Sequence, residues 1–218
     1  MHLWFDLDGT LTDSFPGISR SITHALAELG RTPVPDRRLR GLVGAPLTAI
    51  FAELLKSNDT ALLDRAVAAY RDRFNTSGIF ENSVFPGIPE ALDEFRAAGH
   101  SMRVVTAKPA VSARRVLAHF ALDAHFDAVH GPKLGVRACN KADLVAAALH
   151  DAGDSAPAVM IGDRAEDVRA ARCHGIRAVG VGWGYGSGAE LTDAIPDYIA
   201  ETVSDLRAWV RSVRAVEV

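Results

Sequence analysis

Strand-type and helix-type segments alternate along the sequence from residue 86 onward. Short runs of apolar and β-branched residues are separated by segments whose apolar residues recur with a helical period. Strands that alternate with helices in this way form parallel sheets. We therefore predict an α/β fold, a Rossmann-like parallel sheet with helices on both faces. The predicted strands are 3–7, 102–106, 126–129, 158–162 and 177–182, with a short one near Tyr198.

A long segment of helical pattern interrupts this alternation after the first strand. One amphipathic helix is predicted to end at Gly30 and another at Gly78, with two shorter helices between them. Four helices over this length are enough for a small bundle. The sequence thus predicts two domains, a core of residues 1–14 and 84–218 and an inserted α-helical domain of residues 15–83.

The first predicted strand leads into the segment Phe5-Asp6-Leu7-Asp8-Gly9-Thr10. Extended residues i and i+2 point the same way, so Asp6 and Asp8 are expected on the same side of the chain. Two ionised carboxylates about 4 Å apart repel each other by about 4 kcal/mol at an effective dielectric of 20. A divalent cation, a shared proton or exposure to solvent would each offset this repulsion, and the residues alone leave all three open.

Polar residues also stand near the ends of later predicted strands. Thr106 closes one strand, Lys141 opens a helix, and Asp163 and Asp167 follow the strand 158–162. Each has an ordinary alternative: a helix N-cap for Thr106, a surface lysine, or acidic residues that cap and line the first turn of a helix. In parallel sheets, however, ligands bind beyond the carboxyl ends of the strands, where these residues would converge.

The segment Asp6-Leu7-Asp8-Gly9-Thr10 resembles the first signature of the haloacid dehalogenase superfamily of phosphohydrolases. The other three signatures of that superfamily resemble, in the same order, the Thr106 segment, Lys141, and Gly162-Asp163 with Asp167. Both aspartates of the phosphatase form are present. The resemblance covers essentially the whole chain and implies a helical cap domain inserted into the core after the first strand.

This resemblance implies a covalent mechanism. Asp6 would be the nucleophile that becomes an aspartyl-phosphate, and Asp8 the general acid and base. Thr106 and Lys141 would be catalytic as well, because they bind the transferring phosphate. Further substrate contacts are expected from residues of the phosphate-binding segments and from an arginine of the cap: Leu7, Ala107, Lys108 and Arg40.

A magnesium ion is the expected cofactor. Up to four carboxylates around a phosphate dianion would repel the substrate unless cations are present, and Mg²⁺ favours oxygen ligands. By resemblance, the ligands would be the Asp6 carboxylate, the Asp8 backbone carbonyl and the Asp163 carboxylate, with Asp167 in the next shell.

Two segments, 85–88 and 183–187, resemble the phosphoglycolate phosphatase branch, although Ala107 stands where that branch often has asparagine. We expect hydrolysis of small phosphate monoesters, with phosphoglycolate as the first candidate substrate. The alternatives are a 5′-nucleotidase-type phosphatase, a β-phosphoglucomutase-like phosphotransferase and a non-catalytic binding member.

The composition of the chain limits the classes of binding partner that we expect. The net charge of −3 and the pI near 6.2 argue against binding to nucleic acid or to an anionic membrane. No apolar run is long enough to span a bilayer, and the start of the chain lacks the pattern of a secretory signal, so we expect a cytoplasmic protein, a monomer or a homodimer. Cys139 and Cys173 are expected to be reduced thiols, and Lys133 and Arg137 to be surface charges.

Overall fold

The computed structural model describes residues 1–134, 140–153 and 157–216. The chain divides into two compact units, one formed by Met1–Asp13 with Val84–Val218 and the other by Ser14–Ser83. Cys173 is a free, exposed thiol and Lys133 is exposed. The expectations for Arg137 and Cys139 lie outside the described residues.

The first unit contains a six-stranded sheet in which every neighbouring pair is parallel. Two short strands, β2 and β3, lie outside this sheet. The strands are β1 (His2–Phe5), β2 (Thr12–Asp13), β3 (Ser83–Val84), β4 (Ser101–Val105), β5 (Ala128–His130), β6 (Ala158–Gly162), β7 (Arg177–Val181) and β8 (Tyr198–Ala200). The sheet order is β5-β4-β1-β6-β7-β8.

The helices of the second unit come first along the chain. They are α1 (Phe15–Glu28), α2 (Asp36–Arg40), α3 (Leu47–Leu55) and α4 (Thr60–Thr76), followed by a 3₁₀ turn at Gly78–Phe80. Those of the first unit are α5 (Ile88–Ala97), α6 (Ala110–His119), α7 (Lys141–Ala152), α8 (Ala165–Cys173), α9 (Gly188–Ala194) and α10 (Val203–Val216), with a 3₁₀ turn at Asp123–His125.

Strand β1 lies at the centre of the sheet and is covered on both faces. The side chain of Trp4 packs in a cluster with residues of α7 and α8, among them Val145 and Val168. Its neighbour Phe5 points the other way and stacks on Phe95 of α5, with ring centroids 6.4 Å apart. This alternation confirms the predicted Rossmann-like sheet with helices on both faces.

The second unit is helical, as its sequence pattern predicts. Helices α1 and α4 pack against each other through buried apolar residues that include Ile22, Leu26, Val67 and Phe74. Arg73 of α4 donates two hydrogen bonds of 2.9 Å each to the carboxylate of Glu81, which follows the 3₁₀ turn. Its role as a cap domain stays a prediction.

Three predicted strands end earlier than their apolar patterns indicate, among them the strand at 177–182, which ends at Val181. The first strand of the chain was expected to reach Leu7 but ends at Phe5, because the Leu7 carbonyl accepts hydrogen bonds from the amides of residues 10 to 12 and turns the chain out of the sheet. The strand at 102–106 ends at Val105. In the described part of the chain, no helix has both the length and the apolar character needed to cross a membrane.

Candidate active site

The order of the sheet brings three loops of the first unit together at one edge. Strands β4, β1 and β6 are consecutive neighbours, and all three run in the same direction. Thr106, Asp6 and Asp163 directly follow these strands. Segments that are about 60 residues or more apart in sequence therefore meet where the strand order reverses, which is the usual ligand position in such sheets.

Three carboxylates form a buried cluster at this edge. Asp6, Asp163 and Asp167 each offer an oxygen atom, and these oxygens lie within 4.8 Å of one another. Asp163 and Asp167 are almost completely buried, and Asp6 is 8% exposed. Buried charges of one sign at this separation need a counter-charge, because water cannot screen them.

Lys141 supplies one counter-charge. Its Nζ lies 2.9 Å from Asp6 Oδ1 and 2.5 Å from Asp167 Oδ1. Burial acts to lower the pKa of Lys141, but the carboxylates of Asp167 and Asp6 outweigh it and raise that pKa above its ordinary value. This explains a lysine at the first position of α7, where the helix dipole is unfavourable to a cation.

Asp163 is held from two sides. The Thr10 hydroxyl donates to its Oδ1 at 3.3 Å, and the backbone N–H of Tyr185 donates to its Oδ2 at 2.8 Å. Burial, followed by the charges of Asp167 and Asp6, raises the pKa of Asp163 to about 7. Within the ranges that the structure describes, the protein's own groups thus leave the cluster short of positive charge.

Asp167, the third carboxylate of the cluster, lies in the first turn of α8. Its Oδ2 accepts a hydrogen bond of 3.0 Å from the backbone N–H of Arg164, which is the N-cap residue of that helix. Its pKa is raised to about 6, chiefly by burial and against the pull of Lys141. The sequence alternative in which Asp163 caps the helix is wrong, since Arg164 occupies the cap and the Asp163 side chain contacts the loops after β1 and β7.

Asp8 pairs with a lysine other than Lys141, which contacts the carboxylate cluster. Both of its carboxylate oxygens contact Nζ of Lys108, at 2.6 and 2.9 Å. Asp6 and Asp8 therefore pair with different lysines, because the chain has already left the extended strand between them. The Lys108 side chain, expected from the resemblance to contact substrate, is only 6% exposed in this pair.

Thr106 is buried beside the same loops. Its hydroxyl oxygen accepts a hydrogen bond of 3.2 Å from the backbone N–H of Lys108, and its own N–H donates to the His130 carbonyl. The alternative reading of Thr106 as a helix N-cap is wrong, because α6 begins only at Ala110, with Pro109 as its cap residue. Ala107 and Leu7 were also expected to contact substrate. Ala107 is exposed, and Leu7 is fully buried.

Arg40 lies in the second unit, at the end of α2. Its guanidinium carbon stands 4.1 Å from the centre of the Phe15 ring, a cation–π contact within that unit. The substrate contact expected of Arg40 stays a prediction.

The carboxylate cluster suits a hard divalent cation. It presents oxygen ligands of high negative charge, and its burial excludes the water that would otherwise screen them. At Gly9, whose φ is +88°, a side-chain Cβ would overlap the Asp163 carboxylate, so glycine keeps room at this face of the cluster. Asp6, Asp163 and Asp167 each offer an oxygen atom that could bind such a cation.

The loop after β7 carries site residues that the motif comparison missed. Trp183 Nε1 donates to the Thr10 carbonyl at 3.0 Å, and the Tyr185 hydroxyl donates to Asp13 Oδ1 at 2.9 Å. The available signal was an aromatic and glycine-rich run at the carboxyl end of a predicted strand. From the sequence, this run indicates only a resemblance to the phosphoglycolate phosphatase branch.

The chain is similar to known proteins over most of its length. Residues 3–181 match the family described as haloacid dehalogenase-like hydrolase. A 5′-nucleotidase of Pseudomonas aeruginosa is 40% identical over 212 residues, which cover 97% of this chain and 96% of the relative. The tyrosine-protein kinase PtkA of Mycobacterium tuberculosis is 38% identical over 93% of this chain and 70% of its own length.

Solved structures agree with the sequence relatives. The crystal structure of a predicted phosphatase from Clostridium acetobutylicum superposes with a TM-score of 0.88 at 35% identity, covering 97% of this chain and 98% of that one. The family match spans most of the chain and includes the segments of Asp6, Thr106, Lys141 and Asp163. The chain therefore belongs to the haloacid dehalogenase-like hydrolases and is a phosphoric monoester hydrolase of that family.

Proposed function

We propose that this protein hydrolyses small phosphate monoesters in a magnesium-dependent reaction, through an aspartyl-phosphate on Asp6. The observation that carries the proposal is the buried cluster of Asp6, Asp163 and Asp167 around the ammonium of Lys141. Mg²⁺ bound there would neutralise the carboxylates and the oxygens of the incoming phosphate, and so let the two anions approach.

In the first step, a carboxylate oxygen of Asp6 attacks phosphorus while the ester P–O bond breaks. The leaving alkoxide takes a proton from Asp8. Lys141 holds the Asp6 carboxylate at 2.9 Å, which orients the nucleophile. Thr106 and the backbone amides after β1 stabilise the equatorial oxygens, since positioning and electrostatics supply most of the catalysis of phosphoryl transfer.

In the second step, Asp8 removes a proton from water as the water attacks the phosphorus of the aspartyl-phosphate. The bond between phosphorus and the Asp6 oxygen breaks, and inorganic phosphate leaves with Asp6 restored as a carboxylate. Asp8 thus begins the cycle protonated and recovers its proton from water. When Asp8 carries the proton, its oxygens can still accept hydrogen bonds from the Lys108 ammonium, but the ion pair between the two side chains is lost.

A nucleoside 5′-monophosphate is the substrate class we favour. The P. aeruginosa relative named 5′-nucleotidase shares 40% identity over nearly the full length of both chains. Phosphoglycolate is the second candidate, supported by the resemblance of segments 85–88 and 183–187 to that branch.

The test is a panel of phosphorylated metabolites assayed for phosphate release with Mg²⁺ and again with chelator. Nucleoside 5′-monophosphates and phosphoglycolate are the critical members, with the corresponding nucleoside 3′-monophosphates as a matched control. We expect release that requires Mg²⁺ and kcat/KM values that are highest for the 5′-nucleotides. Preference for phosphoglycolate would select the second candidate, and no hydrolysis of any ester would contradict the proposal.

Transfer to an acceptor other than water needs a separate measurement. The relative named tyrosine-protein kinase and the β-phosphoglucomutase-like alternative both imply such an acceptor. We expect one phosphate released into solution for each ester consumed. A shortfall that appears as phosphorylated sugar or as phosphotyrosine would favour a phosphotransferase.

A further inference from the structure

We propose that Trp183 and Tyr185 are positioning residues that fix the Asp163 carboxylate against the nucleophile loop for binding Mg²⁺. The inference rests on the magnesium-dependent function proposed above and extends it to the loop that follows β7. Three segments that are far apart in sequence meet here: residues 6–13, which follow β1 and end in the short strand β2, residues 163–164 after β6, and residues 182–187 after β7.

The backbone of the β7 loop contacts the metal-site carboxylate directly. The N–H of Tyr185 donates to Asp163 Oδ2 at 2.8 Å. A Cβ at Gly184 would overlap both the Asp163 side chain and the Gly9 carbonyl, so this backbone lies directly against the two loops. The position of Asp163 therefore depends on where the β7 loop is held.

Two aromatic side chains hold that loop, and each reaches the segment that carries Asp6 and Asp8. Trp183 donates from Nε1 to the carbonyl of Thr10 at 3.0 Å, and Tyr185 donates from its hydroxyl to Asp13 Oδ1 at 2.9 Å. Thr10 in turn donates from its hydroxyl to Asp163 Oδ1 at 3.3 Å.

The contacts form a closed ring. They run from Asp163 to the Tyr185 amide, along the β7 loop to Trp183, and back through Thr10 to Asp163. Both carboxylate oxygens of Asp163 are thereby fixed by partners on two different loops. Groups that orient a metal ligand in this way contribute to affinity, and their removal typically costs about 10- to 100-fold in metal binding.

The test measures Mg²⁺ binding to the full chain by calorimetry, without substrate. The variants are W183F and Y185F, which keep an aromatic side chain at each position but remove the two hydrogen-bond donors. Their matched controls are W209F and Y198F, since Trp209 and Tyr198 stack on each other at α10 and β8. We expect W183F and Y185F to raise the Kd for Mg²⁺ by about tenfold, while both controls bind as the wild type does.

A third variant tests the backbone contact. G184A places a methyl group where Asp163 and the Gly9 carbonyl lie, whereas G188A places one where no atom lies within 4 Å. We expect weaker Mg²⁺ binding only in G184A. Thermal unfolding without metal, measured for every variant, separates a positioning effect from a loss of fold.

The outcomes distinguish this inference from the function on which it rests. Folded W183F, Y185F and G184A that all bind Mg²⁺ like the wild type would overturn the inference and leave the proposed function intact. An equal loss of affinity in the control variants would overturn it as well. A wild-type protein that binds no Mg²⁺ would overturn both.

Discussion

The ammonium of Lys108 contacts both carboxylate oxygens of Asp8, at 2.6 and 2.9 Å. Lys108 lies in the turn after β4 and Asp8 in the turn after β1, so the contact joins two neighbouring strand ends. In the proposed cycle Asp8 is a carboxylate between the first and the second step, and we expect Lys108 to hold that carboxylate in place there. Because the two side chains contact each other, variants of Lys108 and of Asp8 both test the proposed role of Asp8.

Replacing Lys108 with methionine is expected to lower kcat about 10- to 100-fold, because a misplaced general acid loses its alignment with the leaving group. The KM should change less than kcat if Lys108 acts through Asp8, and more than kcat if it mainly binds substrate. Steady-state kinetics with a nucleoside 5′-monophosphate decide between the two. K108R, which keeps the charge, is expected to recover part of the loss.

An Asp8→Asn variant is expected to stall after its first step when given p-nitrophenyl phosphate. The p-nitrophenolate anion leaves without a proton, but hydrolysis of the phosphoenzyme still needs Asp8 as a base. Rapid mixing should show one burst of nitrophenolate per enzyme, and mass spectrometry should find phosphate on Asp6. Steady turnover without a burst would contradict the role given to Asp8.

An Asp6→Asn variant is expected to lose all turnover and keep its fold. The amide cannot act as the nucleophile. Lys141 retains its ion pair with Asp167 at 2.5 Å, so the cluster keeps a counter-charge. Phosphate release and thermal unfolding measure the two effects, and the control is Asp193→Asn, at an exposed position of α9. Normal activity in folded D6N would exclude the covalent mechanism.

A Lys141→Met variant is expected to destabilise the protein by about 3–5 kcal/mol, because it leaves buried carboxylates without their partner. Urea unfolding without metal measures the change. Adding Asp167→Asn to the same chain removes one of the unpaired charges and should restore part of the stability. If the Lys141→Met variant were as stable as the wild type, Asp6 and Asp167 would not depend on Lys141 for charge compensation.

The contribution of Asp163 to the stability of the metal-free protein is expected to fall as pH rises between about 4 and about 7. Folding raises the pKa of Asp163 from 3.8 to about 7, so the folded state binds an extra proton in this range and gives it up as pH passes 7. Asp167 acts in the same direction.

Urea unfolding at a series of pH values, for wild type and D163N, isolates this contribution from that of other groups. The stability of wild type relative to D163N should fall across the window. Added Mg²⁺ should stabilise the wild type more at pH 8 than at pH 5, because the metal binds the ionised carboxylate. A constant difference between the two proteins would contradict the assignment.

Much of the fold was predictable from local patterns. The bounds predicted for β6 agree with the observed Ala158–Gly162, and the predicted start of α7 agrees with the observed Lys141, because a run of apolar residues and the start of a helix are both readable within a short window. The parallel sheet followed from the alternation of such windows. Strand ends were less predictable, since hydrogen bonds to the Leu7 carbonyl, rather than apolar character, decide where β1 ends.

The sequence by itself determined which functional side chains the protein has and which predicted strand or helix each one lies next to, because signatures and periodicity are local properties of the chain. Only the tertiary structure decided the partners: Lys108 with Asp8, Lys141 with Asp6 and Asp167, and the Trp183 loop with Thr10. Such pairings depend on distances of a few ångströms between loops that can be more than 100 residues apart. Those distances are set by the order and register of the sheet, which no single segment of the sequence contains.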